Sequence, residues 1–230
     1  MPEAQINGTL HVTGAITSDT SITPGDSTVT NSKVSSAAAI SRSKLAQDVL
    51  AKYPIHPTDW RVWDNFTALL PQTAATDDDD LAVIEGTLGT DFPTIQGADF
   101  GGGGGTAEDK YARTLFTLPP EYDDAQSVTI RARCTYLTTV PDAASYVDFV
   151  VYEHNGDGAV GSDLCATSAQ NVVTAGAGVF TNYDFTVTAT TLVSGDQLDI
   201  RVLHDGQDSG NAGVMIFEMT QCFVMIDIKG

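Results

Sequence analysis

From Tyr111 onward the chain repeats short runs of alternating apolar and polar residues, broken by turn chemistry. No other feature restricts the fold as much. Val128, Ile130, Ala132, Cys134 and Tyr136 alternate with Thr129, Arg131, Arg133 and Thr135, and Tyr183, Phe185 and Val187 alternate with Asn182, Asp184 and Thr186. A strand repeats every two residues, so each run presents one apolar face to a core. Similar runs occupy residues 111–117, 147–151 and 198–202, with a weaker one at 171–174. Residues 214–228 are apolar on both faces, as one long strand or as a hairpin near Thr220 and Gln221. Burial on both sides places that run at the centre of a sandwich or between the core and another subunit.

About eight strands with regular turns and almost no helix predict a mainly β protein, an antiparallel β-sandwich. The absence of a Cys…Trp…Cys pattern favours a jelly-roll-like arrangement over an immunoglobulin one. The order of residues further predicts an extended N-terminal arm over 1–33, a helical connector with an aromatic cluster over 34–72, and a sandwich head over 73–230. The arm carries scattered β-like pieces around Leu10, Val12 and Ile16, rich in Thr, Ser and Gly. Alone they have nothing to pack against, so the arm either docks on other chains or stays disordered.

In the connector, Ser35 and Ser36 are helix caps ahead of an alanine run, and Leu45, Val49 and Tyr53 share a helical face that Pro54 ends. Trp63, Phe66 and Leu70 also follow helical spacing, with Asp59 as a cap. Within this stretch Val34, Ala38, Ala39, Ile40, Ser43, Lys44 and Leu45 form a block V-x-x-x-A-A-I-x-x-S-K-L. The block resembles a connector found in tail fibres and other appendage proteins of tailed bacteriophages. That resemblance implies a homotrimeric virion protein assembled in the host cytoplasm, a fibre, spike or capsid decoration. Its arm would join other virion proteins, and its head would face outward toward a host-surface glycan.

Charge restricts partners. Thirty acidic residues against eleven Lys and Arg leave a net charge of −19, which disfavours nucleic acid. No basic, apolar leader opens the chain and no apolar run is long enough to cross a bilayer, so the expectation is a soluble protein with no membrane partner. The cysteines at 134, 165 and 222 lack C-x-x-C spacing and read as buried free thiols.

Chemistry-bearing candidates are few. No G-x-S-x-G elbow accompanies the four histidines, and the chain reads as non-enzymatic, with no catalytic residue and no cofactor assigned. Trp60 and Trp63 form either a core cluster or a stacking platform for a sugar or partner. Two loops, 154–163 and 204–211, each follow a strand and carry His, Gly and aspartates. Asp157, Asp163, Asp205 and Asp208 are candidate calcium ligands there, and His154 and His204 candidate glycan contacts. The alternative is that both are simple turns. A joint site requires both loops at one end of the sandwich. The run at 77–80 and the glycines at 101–105 read as a solvated turn and a loop.

Overall fold

A computed structural model describes residues 50–74, 79–98, 108–137, 144–154, 161–173, 176–207 and 216–228. The expected arm, the phage-like block, Asp157, Asp208 and the glycine run lie outside them. Ten strands are described: β1 (Leu50–Ile55), β2 (Ala82–Ile84), β3 (Thr94–Ala98), β4 (Glu108–Thr117), β5 (Val128–Tyr136), β6 (Ala144–His154), β7 (Gln170–Asn171), β8 (Thr181–Val187), β9 (Gln197–Gln207) and β10 (Ile216–Asp227).

They form two antiparallel sheets packed as a sandwich. One has the order β2-β3-β10-β5-β8, with β1 also on β10; the other has the order β4-β9-β6-β7. The alternation read in β5 and β8 is realised, since Val128, Ile130, Ala132, Phe185 and Val187 are all buried. Phe149 from one sheet meets Phe185 from the other, ring centroids 4.8 Å apart. Each such fully buried side chain contributes about 1.5–3 kcal/mol.

The long apolar run near the C-terminus is one strand. β10 takes β5 along one edge and, along the other, β3 followed by β1, so both its edges are paired. Phe217, Met219, Cys222, Val224 and Ile226 are buried, while Glu218, Thr220 and Phe223 between them are half-buried. Its register slips between Met219 and Gln221, a bulge where a hairpin was the alternative.

Three local expectations are corrected. Residues 50–55 are a strand rather than the end of a helix, with Tyr53 opposite Val224. Their Ala and Leu favour a helix weakly, and pairing with β10 overrides that preference. Pro54 fits because β1 lies at an edge. Residues 60–70 are not helical either: Arg61 exchanges backbone bonds with Arg113 of β4, at 2.8 and 3.0 Å. The chain then turns through Asn65, whose carbonyl accepts the Ala68 N–H, and returns so that Arg61 bridges Leu69. Asp59 does not cap a long helix; its carboxylate accepts the His56 N–H across a single 3-10 turn (Pro57–Asp59). Finally, of the weak run at 171–174 only Asn171 lies in a strand, β7, and Thr174 is outside the described residues.

Cys134 and Cys222 are buried and Cys165 half-buried, all as free thiols. Burial pushes the Cys222 thiol up to about 12 and Cys165 to about 11, so they behave as small apolar groups.

Candidate functional site

The four-stranded sheet turns one face to the core and the other outward, and the strand period decides which residue does which. Lys110, Ala112 and Thr114 of β4 point inward with Ile200, Val202 and His204 of β9. Their neighbours Tyr111, Arg113, Asp199, Arg201 and Leu203 therefore point outward. Register aligns Tyr111 with Leu203 and Asp148, and Arg113 with Arg201 and Val150.

The 61–69 loop lies along β4 and brings Trp63 and Phe66 onto this outer face. Trp63 packs on Tyr111 with centroids 4.9 Å apart, and the Arg201 guanidinium sits 4.9 Å from the Tyr111 ring and 5.8 Å from the Trp63 ring. The Trp63 indole N–H donates to Asp79 (3.1 Å) and the Tyr111 hydroxyl to Asp109 (2.8 Å). Beside them Arg113 makes a two-pronged bond to Asp199, with Nε donating at 2.6 Å, and lies 5.3 Å from the Phe66 ring. Trp63, Phe66, Tyr111, Arg113 and Arg201 are all half-buried, so each keeps a surface open to a ligand.

Further along the face, partial burial holds the Asp148 carboxyl above its ordinary range. Repulsion from Asp163 adds to this; a hydrogen bond from the Phe149 N–H and the charge of Arg201 oppose it. Three rings, two guanidiniums and carboxylates on one surface form a platform suited to a polyhydroxylated ring. Apolar C–H faces stack on the aromatics while hydroxyls bond the charged groups.

The candidates read from sequence scatter. Trp60, 1 % exposed, is a core residue; its neighbourhood opens onto a cleft of about 250 Å³ bordered by Arg61, Leu69, Val83 and Glu85. His204 is wholly buried, stacked on Phe217 at 4.7 Å. His154 is exposed at the end of β6. Of the four glycan candidates only Trp63 joins the platform. Tyr111, Arg113 and Arg201 were overlooked as site residues, although their polar positions in alternating runs marked them as outward-facing.

The two Asp-bearing loops leave opposite ends of the sheet. His154 of β6 stands opposite Gln197 of β9, and Gln207 opposite Ala144, so the exits diverge and the joint calcium site is abandoned. The Asp163 carboxylate accepts the Val151 and Cys165 N–H groups, both at 2.9 Å, fastening the loop to β6. Asp205 aligns with Tyr146, which at ~3.3 Å per residue puts it more than ~15 Å along β6 from Val151. No group of three or more His, Cys, Asp or Glu side chains suited to a metal occurs among the described residues.

Ser145 Oγ and His204 Nε2 are 2.8 Å apart, the separation of a nucleophile and its base. Both are wholly buried, and His204 Nδ1 has no orienting carboxylate or other partner. Burial, reinforced by nearby Lys110, lowers the His204 pKa to about 3. This pair is a core hydrogen bond.

No protein-family model and no curated protein matches the chain. Among solved structures it is similar to a carbohydrate-binding module, CBM28, specific for non-crystalline cellulose. That match has 10 % identity and a TM-score of 0.39, covering 77 % of this chain and 94 % of the other. It is also similar to a cleaved adhesin domain of Lys-gingipain from Porphyromonas gingivalis, at 14 % identity and a TM-score of 0.39, covering 76 % and 97 %. A third is the xylan-binding CBM22-1 domain of Xyn10C from Paenibacillus barcinonensis, at 10 % identity and 0.36, covering 65 % and 82 %.

Proposed function

We propose that the sandwich is a non-enzymatic binding head that takes a carbohydrate on the outer face of its four-stranded sheet. The observation that carries this reading is the half-exposed Trp63–Tyr111 pair with Arg201 against both rings. Aromatic walls and planar donors together suit a sugar ring better than a peptide strand, because the edge of this sheet beside them is already paired through Arg61 and Leu81. A glycan array probed with the full chain is the test. Binding that falls at least tenfold (about 1.4 kcal/mol) in Trp63→Ala supports the reading. Binding that survives Trp63→Ala and Tyr111→Ala together removes it.

A second observation bears on where the head is displayed. The block from Val34 to Leu45, with its likeness to phage appendage connectors, supports a trimeric virion protein whose arm anchors it and whose head meets the host surface. Closed cyclic symmetry would give a thin arm partners it cannot supply alone. Mass measurement in solution tests this, and a stable monomer sinks the trimer.

A further inference from the structure

We propose that the saccharide taken by this face carries a carboxylate, as in a uronic acid unit, and that Arg201 is the side chain that holds it. The proposal rests on the reading of this face as the glycan site.

Its starting point is a contrast among arginines. Arg113 is engaged by Asp199 and Arg131 by Asp184, each through two N–H groups. Arg201 makes no hydrogen bond or ion pair among the described residues. Its Nε is shut from water without an acceptor, while the terminal nitrogens stay accessible. A guanidinium left in this state forgoes charge-assisted bonds that are the strongest available to a side chain.

The neighbouring carboxylates do not make up the deficit. Asp79 accepts from Trp63, Asp109 from Tyr111, and Asp199 is held by Arg113. Asp148 influences Arg201 only through the field, with no bond between them. What remains is a planar fork held by two aromatic rings, its open end facing solvent. A fork of this shape matches a carboxylate with two parallel N–H···O bonds. Trp63 and Tyr111 beside it give a sugar ring somewhere to stack, which an isolated inorganic anion would not need.

Two terms oppose the proposal. The net charge of −19 repels a polyanion at long range, but at physiological ionic strength screening confines that to about 8 Å. Asp148 is close enough to repel an incoming carboxylate directly, so neutralising it should tighten binding.

Calorimetric titration of the full chain with oligomers of polygalacturonic acid, and with their methyl esters, provides the test. The expected result is binding of the acid, with a loss of about tenfold both on esterification and in Arg201→Lys, which keeps the charge but not the fork. Esterification and Arg201→Lys together should cost no more than either alone. Asp148→Asn should shift the acid-to-ester preference about two- to threefold toward the acid, whatever it does to both ligands in common. It serves as the deciding variant if Arg201→Lys fails to fold.

Equal binding of acid and ester, lost in Trp63→Ala, overturns the carboxylate while leaving the glycan face standing. Equal binding of dextran sulfate overturns it too, because Arg201 would then be a general anion holder. Failure of acid, ester and every neutral glycan removes both readings.

Discussion

On the inner face of β9, His204 is neutral, stacked on Phe217 and bonded to Ser145. Three residues earlier on the outer face, Arg201 is charged and rests against two rings without an acceptor. The same offset separates Trp60, sealed in the core, from Trp63 on the surface. In extended chain a three-residue step reverses direction, whereas in a helix it keeps two side chains on one face. The inner face thus invests its large and polar groups in stability, and the outer face leaves similar groups open for a ligand.

The tryptophans give the most forceful way to break that contrast. Trp60→Ala should cost about 3–5 kcal/mol, since it empties a large buried volume beside Ile55, Ile95 and Met219. Trp63→Ala should cost less than about 1 kcal/mol while abolishing glycan binding. Urea unfolding of the two variants decides the matter, and equal costs would erase the distinction between faces.

His204 offers the next largest effect, read through pH. Burial holds its folded pKa near 3 against about 6.5 in the unfolded chain. Below pH 6.5 the unfolded chain therefore takes up a proton that the folded one refuses. Stability contributed by the neutral imidazole is intact above pH 6.5 and falls by about 1.4 kcal/mol per unit as pH drops toward 3. Between pH 7 and 5 the loss is about 2 kcal/mol, and His204→Gln should remove that part of the pH slope. A variant with an unchanged slope would mean that His204 is not protonation-silent in the fold.

The same geometry explains what could be read from sequence. β5, β8 and β9 were legible because each buries one face and nothing else competes with a period of two. β1 was not, because the Ala and Leu before Tyr53 suit a helix and only β10 supplies the reason to extend. β3 carries no readable alternation because it is short and contains Gly97. A Cβ at Gly97 would lie 2.7 Å from Leu81 Cδ2 and 3.2 Å from His204 Nδ1, so the close approach of three elements requires glycine there. Trp60 and Trp63 were read together, as either one core cluster or one platform, and the two Asp-bearing loops as one site on composition. Strand direction, which sequence does not display, separates both pairs.

Two ion pairs on the outer faces of opposite sheets sharpen the comparison at smaller scale. Arg113–Asp199 has side-chain exposures of 35 % and 14 %, and Arg131–Asp184 of 29 % and 46 %. With Asp199 better shielded and Phe66 beside the guanidinium, Asp199→Asn should cost about 1 kcal/mol, and Asp184→Asn about half that or less. Both figures allow for solvent screening. Chemical denaturation in low and high salt tests the pair, the Asp184 difference being the one that salt removes.

The smallest effect concerns Tyr53, where the two kinds of face meet. Its ring packs edge-on against Phe116, 6.0 Å between centroids, while its hydroxyl donates to Glu121 at 2.6 Å in solvent. That bond to Glu121, with a smaller part from burial, raises the hydroxyl pKa to about 12. The protonated hydroxyl therefore favours the fold below pH 10, and its advantage disappears as pH rises through 10 to 12. Removing only the hydroxyl should leave the unfolding midpoint at pH 7 almost unchanged, because water replaces an exposed bond. Removing the ring should cost about 1–2 kcal/mol through lost packing. Hydrogen exchange of the β1 amides gives the finer reading. Tyr53→Phe is expected to hasten exchange at this edge without touching β5, since an edge strand opens locally at less cost than the sheet as a whole. If exchange instead accelerates equally in β5, then Tyr53 belongs to the cooperative core, and the boundary between structural and open faces lies further out than the strand edge.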